Sequence, residues 1–155
     1  MTIDASEAGH RLAELHGDYL FEHPTYEGLS DAERVYIAVW RFEAEVYNGG
    51  LQQMLTNSTG EYVPLICHSL KLVGAEKMAL IVERAVKEIV SDPRYDHSVE
   101  KLVRRADDVR HRLFELGRQL TPDIKNLSVL LFQYMSRHRD QFHVSEEFWS
   151  EATMQ

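Results

Sequence analysis

The chain of 155 residues has a single cysteine, Cys67, which excludes an internal disulfide and any zinc site built on two or more thiolates. That usage suits a reducing compartment, and we expect a cytoplasmic protein. No apolar run approaches the roughly 20 residues of a membrane span. The opening Met1-Thr2-Ile3-Asp4-Ala5-Ser6-Glu7 has neither the basic start nor the apolar core of a secretory leader. A membrane partner is therefore not expected. Only four prolines occur, at 24, 64, 93 and 122, each at the edge of a segment with helical periodicity. Strand-like alternation of apolar and polar residues is missing throughout.

Basic residues are scarce in one half. Residues 1–62 hold eleven acids against three bases (Arg11, Arg34 and Arg41), a net of −8, whereas residues 63–155 hold fourteen of each. The whole net charge of −8 thus lies in the N-terminal part. Such a surface repels phosphate, so no direct contact with nucleic acid is expected there. In the C-terminal half, Lys101, Arg104, Arg105, Arg110 and Arg112 are interleaved with Glu100, Asp107, Asp108 and Glu115, the pattern of a solvated helix face.

The usual marks of catalysis are missing as well. Glu7-x-x-His10 has the spacing of a di-iron bundle ligand pair, but the nearest second pair, Asp108-x-x-His111, lacks the required Glu. His138 and His143 lie five residues apart across a helix end, and there is no His-Glu-x-x-His. Cys67 and His68 are neighbours and would point about 100° apart on a helix, so they cannot form a nucleophile–base pair with each other. Cys67 follows Leu65-Ile66 and reads as a small buried hydrophobe. Asn48-Gly49-Gly50 follows a helix rather than a strand and lacks the lysine of a phosphate loop. No catalytic residue, metal or cofactor is assigned, and the enzymatic reading is the weaker one.

What the chain does have is amphipathic helix. Hydrophobic residues make up 44% and charged residues 27%, the balance of a globular domain, and 155 residues fit one such domain. A first segment, about 4–22, places Ala8, Leu12, Leu15 and Tyr19 on one face, and Pro24 ends it. Ser30 and Glu33 form a capping-box pair that opens a second helix through Val35, Tyr36, Val39, Phe42 and Val46. Asn48-Gly49 is expected to end it, with Asn and Gly suited to the left-handed conformation. A short helix, about 50–56, then carries Leu51, Met54 and Leu55. Further helices are predicted over 62–72, 75–91, 99–119 and 121–138, with a last short one near Ser145-Glu146-Glu147-Phe148-Trp149. The expectation is a single all-α domain of seven or eight helices.

Two regions could carry function. At about 100° per residue, Asp4, Glu7, Glu14, Asp18 and Glu22 share an arc of about 80°, roughly one carboxylate every 7 Å along the helix. A row of this kind could pair with a basic protein surface, although duplex DNA carries a charge about every 1.7 Å. The second region is the polar insert Tyr47-Asn48-Gly49-Gly50-Leu51-Gln52-Gln53-Met54-Leu55-Thr56-Asn57-Ser58-Thr59-Gly60. Asn48, Gln53 and Asn57 either satisfy loose backbone groups at two helix ends or line a small polar pocket.

The run Glu45-Val46-Tyr47-Asn48-Gly49-Gly50-x-x-Gln53-x-x-x-Asn57-Ser58-Thr59-Gly60 is similar to the signature of a largely uncharacterised bacterial all-helical family. The best-known member of that family is a DNA mimic that sequesters a transcription factor. Ala75-Glu76-Lys77 after Val73-Gly74 and the stretch His138-Arg139-Asp140-Gln141-Phe142 extend the likeness over about residues 30–143. Residues 1–29 then form an N-terminal acidic helix and linker, and 144–155 a C-terminal short helix or tail. The resemblance implies an all-helical fold, carries over no catalytic residue and leaves a homodimer open.

With the charge asymmetry, it makes a non-enzymatic acidic module the leading expectation. Asp4, Glu7, Glu14, Asp18, Glu22, Asp31 and Glu33 would pair with the basic surface of a protein partner such as a transcription factor. One alternative is a small-ligand binder or enzyme with an amide-lined pocket at the Asn-Gly-Gly segment. Another is an immunity or antitoxin-like partner protein. Phe142, Phe148 and Trp149 are expected either to cover a core edge or to form a dimer contact.

Overall fold

A computed structural model describes residues 27–58, 62–143 and 146–151, and among them every regular element is helical. Helix α1 (Asp31–Asn57) is followed by α2 (Tyr62–Leu72), α3 (Glu76–Val90), α4 (Val99–Arg105), α5 (Asp107–Arg118), α6 (Thr121–Ile124), α7 (Leu127–Arg137), a 3-10 turn (Arg139–Gln141) and α8 (Glu146–Glu151). No helix among the described residues is long and apolar enough to cross a membrane.

Helix α1 is the axis of the domain. Ala32, Glu33, Val35, Tyr36, Ile37, Ala38, Val39 and Phe42 are all buried, so its first half is covered nearly all round rather than on one stripe. It packs against α2, α4, α5, α7 and the 3-10 turn. Its start is fixed as the sequence predicts. The Ser30 hydroxyl accepts from the Glu33 amide at 3.0 Å, and the Glu33 carboxylate accepts from the Ser30 amide at 2.9 Å. The far end of the chain then clamps this cap. The Ser30 hydroxyl donates to the Gln141 carbonyl at 2.9 Å, the Ala32 amide donates to Gln141 Oε1 at 3.3 Å, and His143 Nδ1 lies 2.8 Å from Glu33 Oε1. Phe142 follows by setting its ring edge-on to Tyr36, with centroids 6.2 Å apart.

The stop of α2 is a Schellman motif. The Gly74 amide donates to the Lys71 carbonyl, the Ala75 amide donates to the Leu70 carbonyl at 2.7 Å, and Gly74 has φ +89°. Cys67 is buried in α2, and burial, with Glu83 adding to it, pushes its thiol up to about 11. It is a packing residue, as expected, and His68 beside it points to solvent.

Two predicted helices are each broken in two. The segment 99–119 divides at Ala106, whose backbone leaves helical geometry (φ −129°, ψ 85°) and whose side chain is buried. The break lets Val103 and Val109 both face the core, and Arg110 covers the released Val103 carbonyl at 3.3 Å. The segment 121–138 divides at Lys125-Asn126, with Ile124 and Leu127 both inward. Phe142 and Trp149 cover the core of their own chain: each is buried, and Trp149 stacks on Phe132 with centroids 6.2 Å apart. The side chain of Phe148 lies outside the described residues.

Charges of the C-terminal half neutralise one another across elements. The Arg94 guanidinium bridges Asp92 and Asp108, with nitrogen–oxygen distances of 2.8 Å to each. Arg112 joins Asp108 at 3.0 Å to Glu88 at 3.2 Å, and Arg105 reaches Asp96 at 3.1 Å. This network ties the α3–α4 connection to α5. The Arg94 side chain, with the Arg94 amide, holds the Asp92 carboxyl down from 3.8 to about 2. A lowered folded-state value means that the stabilisation is complete above the unfolded value and is lost as pH falls through the folded one. Asp92→Asn should therefore melt below wild type at neutral pH, and the gap should shrink below about pH 4 and close near pH 2. Thermal melts of both proteins across that range test this; a gap independent of pH would contradict it.

Candidate functional site

The polar insert is a corner inside α1. Helical hydrogen bonding continues on either side, but Gly49 (φ −157°, ψ 19°) and Gly50 (φ 70°, ψ −169°) leave helical geometry and turn the chain. The residue with positive φ is Gly50, not Asn48 or Gly49 as the sequence suggested, and its φ/ψ pair is essentially confined to glycine. Gly49 is needed for a different reason. A methyl group there would overlap the carboxamide of Gln53 and come within 2.7 Å of its Cβ.

Gln53 and Asn57 sit one turn apart on the second arm and face back across the corner. Gln53 Nε2 donates to Glu45 Oε2 at 2.8 Å, and Asn57 Nδ2 donates to the same oxygen at 2.9 Å. One carboxylate from the first arm is thus clasped by two amides from the second. Below it the second arm buries Leu51, Met54 and Leu55, and α5 approaches closely at Gly117, where an added methyl would lie 3.4 Å from Leu51. Asn48 is exposed on the outside of the turn.

Beside the clasp lies a cleft of about 300 Å³ whose wall includes Trp40, Glu45, Asn57, Ser58 and Tyr62 over a floor of Phe42 and Met54. Of the three amides weighed as a pocket lining, only Asn57 borders this cleft, and Asn48 and Gln53 do not. The acidic group of the cleft is the Glu45 carboxylate, which accepts one amide hydrogen from each of Gln53 and Asn57.

Residues 27–138, which contain this corner and the helices that brace it, match the family model described as DMP19-like protein. The chain belongs to the DMP19-like family. No curated protein and no solved structure matches it. The match begins just before the Ser30 cap and ends at the close of α7, so it takes in most of the span over which the sequence signature was traced.

On this DMP19-like frame the proposed acidic face is divided. Asp4, Glu7, Glu14, Asp18 and Glu22, like Gly60 of the motif, lie outside the described residues. Asp31 is exposed in the first turn of α1. Glu33 is a correction: it is 1% exposed, with its carboxylate committed to the Ser30 amide and His143, and it cannot meet a partner's surface. Capping-box geometry points the residue back along the helix start, and the 141–143 strap covers it. Among the described residues no three of His, Cys, Asp and Glu converge as a metal set, and the Asp108 carboxylate is occupied by Arg94 and Arg112.

The residue overlooked in sequence was Glu45. It stands inside the signature, one turn before Gly49, but its partners are eight and twelve positions on, a spacing that meets only if the helix turns between them.

The sign of one substitution tests the corner. In an unbroken exposed helix, Gly→Ala stabilises by about 0.5–1 kcal/mol. Here Gly50→Ala should destabilise by roughly 1–3 kcal/mol through its backbone conformation, and Gly49→Ala should also destabilise by displacing Gln53. Urea unfolding gives both values; a stabilising effect at position 50 would show that α1 runs straight.

Proposed function

We propose that the protein is a non-enzymatic acidic module that binds a basic protein surface, acting as a DNA mimic towards a DNA-binding protein. The observation that carries the reading is the placement of charge. The entire excess of −8 belongs to residues 1–62, and the remaining acids are matched one for one by bases. Many of those bases are held in ion pairs across α3, α4 and α5 and the connections between them. The self-neutralised half gives a partner little net field, so steering falls to the N-terminal part. Membership of the DMP19-like family supports a protein-binding role in coarse terms.

In this mechanism Asp4, Glu7, Glu14, Asp18, Glu22 and Asp31 occupy lysine and arginine groups that otherwise hold phosphates, and capture is competitive with DNA. Exposed pairs of this kind weaken as salt shortens the Debye length from about 10 Å at 0.1 M to about 3 Å at 1 M. Pull-down from the native lysate should therefore recover a DNA-binding protein at low salt and lose it at high salt. The triple variant Glu7→Lys, Glu14→Lys, Asp18→Lys should recover none. Undiminished capture by that variant, or capture indifferent to salt, would overturn the proposal.

A further inference from the structure

Glu45 has a second oxygen that no hydrogen bond or ion pair among the described residues uses. Both amide protons of the clasp go to Oε2, and among the described residues no Lys, Arg or His comes within ion-pair distance of the carboxylate. Its half-buried setting makes this unusual in a molecule whose C-terminal acids are so widely paired with cations. A carboxylate drawn partly out of water without a counter-charge carries a desolvation cost that an incoming cation relieves.

The surroundings favour one kind of cation. The carboxylate borders the cleft of about 300 Å³, whose floor is apolar through Phe42, Met54 and Ile66 and whose wall carries Trp40 and Tyr62, both half-buried. Arg41, exposed, borders it too, has interactions of its own, and makes no ion pair with Glu45. An ammonium is strongly hydrated and gains little from such walls. A guanidinium is weakly hydrated and planar, stacks on aromatic faces and forks onto a carboxylate, while its alkyl stem lies along apolar surface.

From this geometry we infer that the cleft beside the Gly49-Gly50 corner receives an arginine side chain of the protein partner, held by Glu45 and flanked by Trp40 and Tyr62. The inference rests on the protein-binding reading and deepens it: long-range attraction comes from the N-terminal acids, and the cleft adds a short-range anchor that is indifferent to them. The Glu45–Gln53–Asn57 clasp serves as the positioning device, because it fixes the carboxylate before the ligand arrives.

The test uses N-acetyl-arginine methylamide as probe, titrated into the full chain while the side-chain amide signals of Gln53 and Asn57 are followed by NMR. A saturable shift is expected. The neutral isostere N-acetyl-citrulline methylamide should give none, and the lysine analogue should bind at least several-fold more weakly. Glu45→Gln keeps the shape and should weaken the arginine probe at least tenfold. Trp40→Leu, which leaves the clasp intact, should weaken it several-fold, so the conclusion does not depend on one variant folding. Equal shifts from the arginine and citrulline probes, or undiminished binding by both variants, would overturn the inference.

The two proposals fail separately. Probe binding retained in the Glu7, Glu14, Asp18 reversal variant, with no basic partner captured by wild type, removes mimicry alone. Salt-sensitive capture by wild type with no probe response removes the arginine cleft alone.

Discussion

One hydrogen-bonded carboxylate holds the middle of this molecule together. Helix α1 must run through the core to give α2, α4, α5 and α7 a common surface, yet it must also turn so that Leu51, Met54 and Leu55 enter the same core from a second direction. Gly50 permits the turn and Gly49 makes room for it, but neither holds it at one angle. The Glu45 clasp on Gln53 and Asn57 does so. A charge-assisted hydrogen bond is worth more than a neutral one, and here two share a single acceptor, that from Gln53 part-buried and that from Asn57 exposed. Glycine supplies freedom and the clasp removes it.

A second lock closes the domain from the other end. Gln141, Phe142 and His143 return to the first turn of α1, where Gln141 supplies both a carbonyl and a carboxamide oxygen to the helix start. The family signature and the C-terminal stretch of the sequence, separated by about ninety positions, therefore act on the same helix: one stabilises its bend and the other its beginning. This gives a physical reason for both stretches to accompany one fold. The ion-pair network around Arg94 serves a more peripheral purpose, fastening the α3–α4 connection while cancelling charge.

Much of this was legible in the chain. The Ser30–Glu33 capping box, the Pro122 start and an interruption at Asn48-Gly49-Gly50 each follow from local chemistry within a few residues, although the positive φ falls on Gly50 rather than on Asn48 or Gly49. Non-local choices were not legible. The break at Ala106 is made by packing, although Arg104-Arg105 followed by Asp107-Asp108 is the charge order of one helix ending and another beginning. Glu33 has the sequence pattern of a surface acid, and the strap that buries it comes from 110 positions away. Glu45 went unassigned because its partners meet it only after the turn they help to hold. The N-terminal acids, by contrast, were legible as a charge pattern, and their role rests on that pattern.

The central claim is that Glu45 and Gln53 are energetically coupled across the corner. A double-mutant cycle measures it directly: urea unfolding of wild type, Glu45→Ala, Gln53→Ala and the double variant. The account predicts a favourable coupling of about 1–2 kcal/mol between the two positions. Additive single effects, with coupling indistinguishable from zero, would show that the clasp does not hold the corner and would contradict the account.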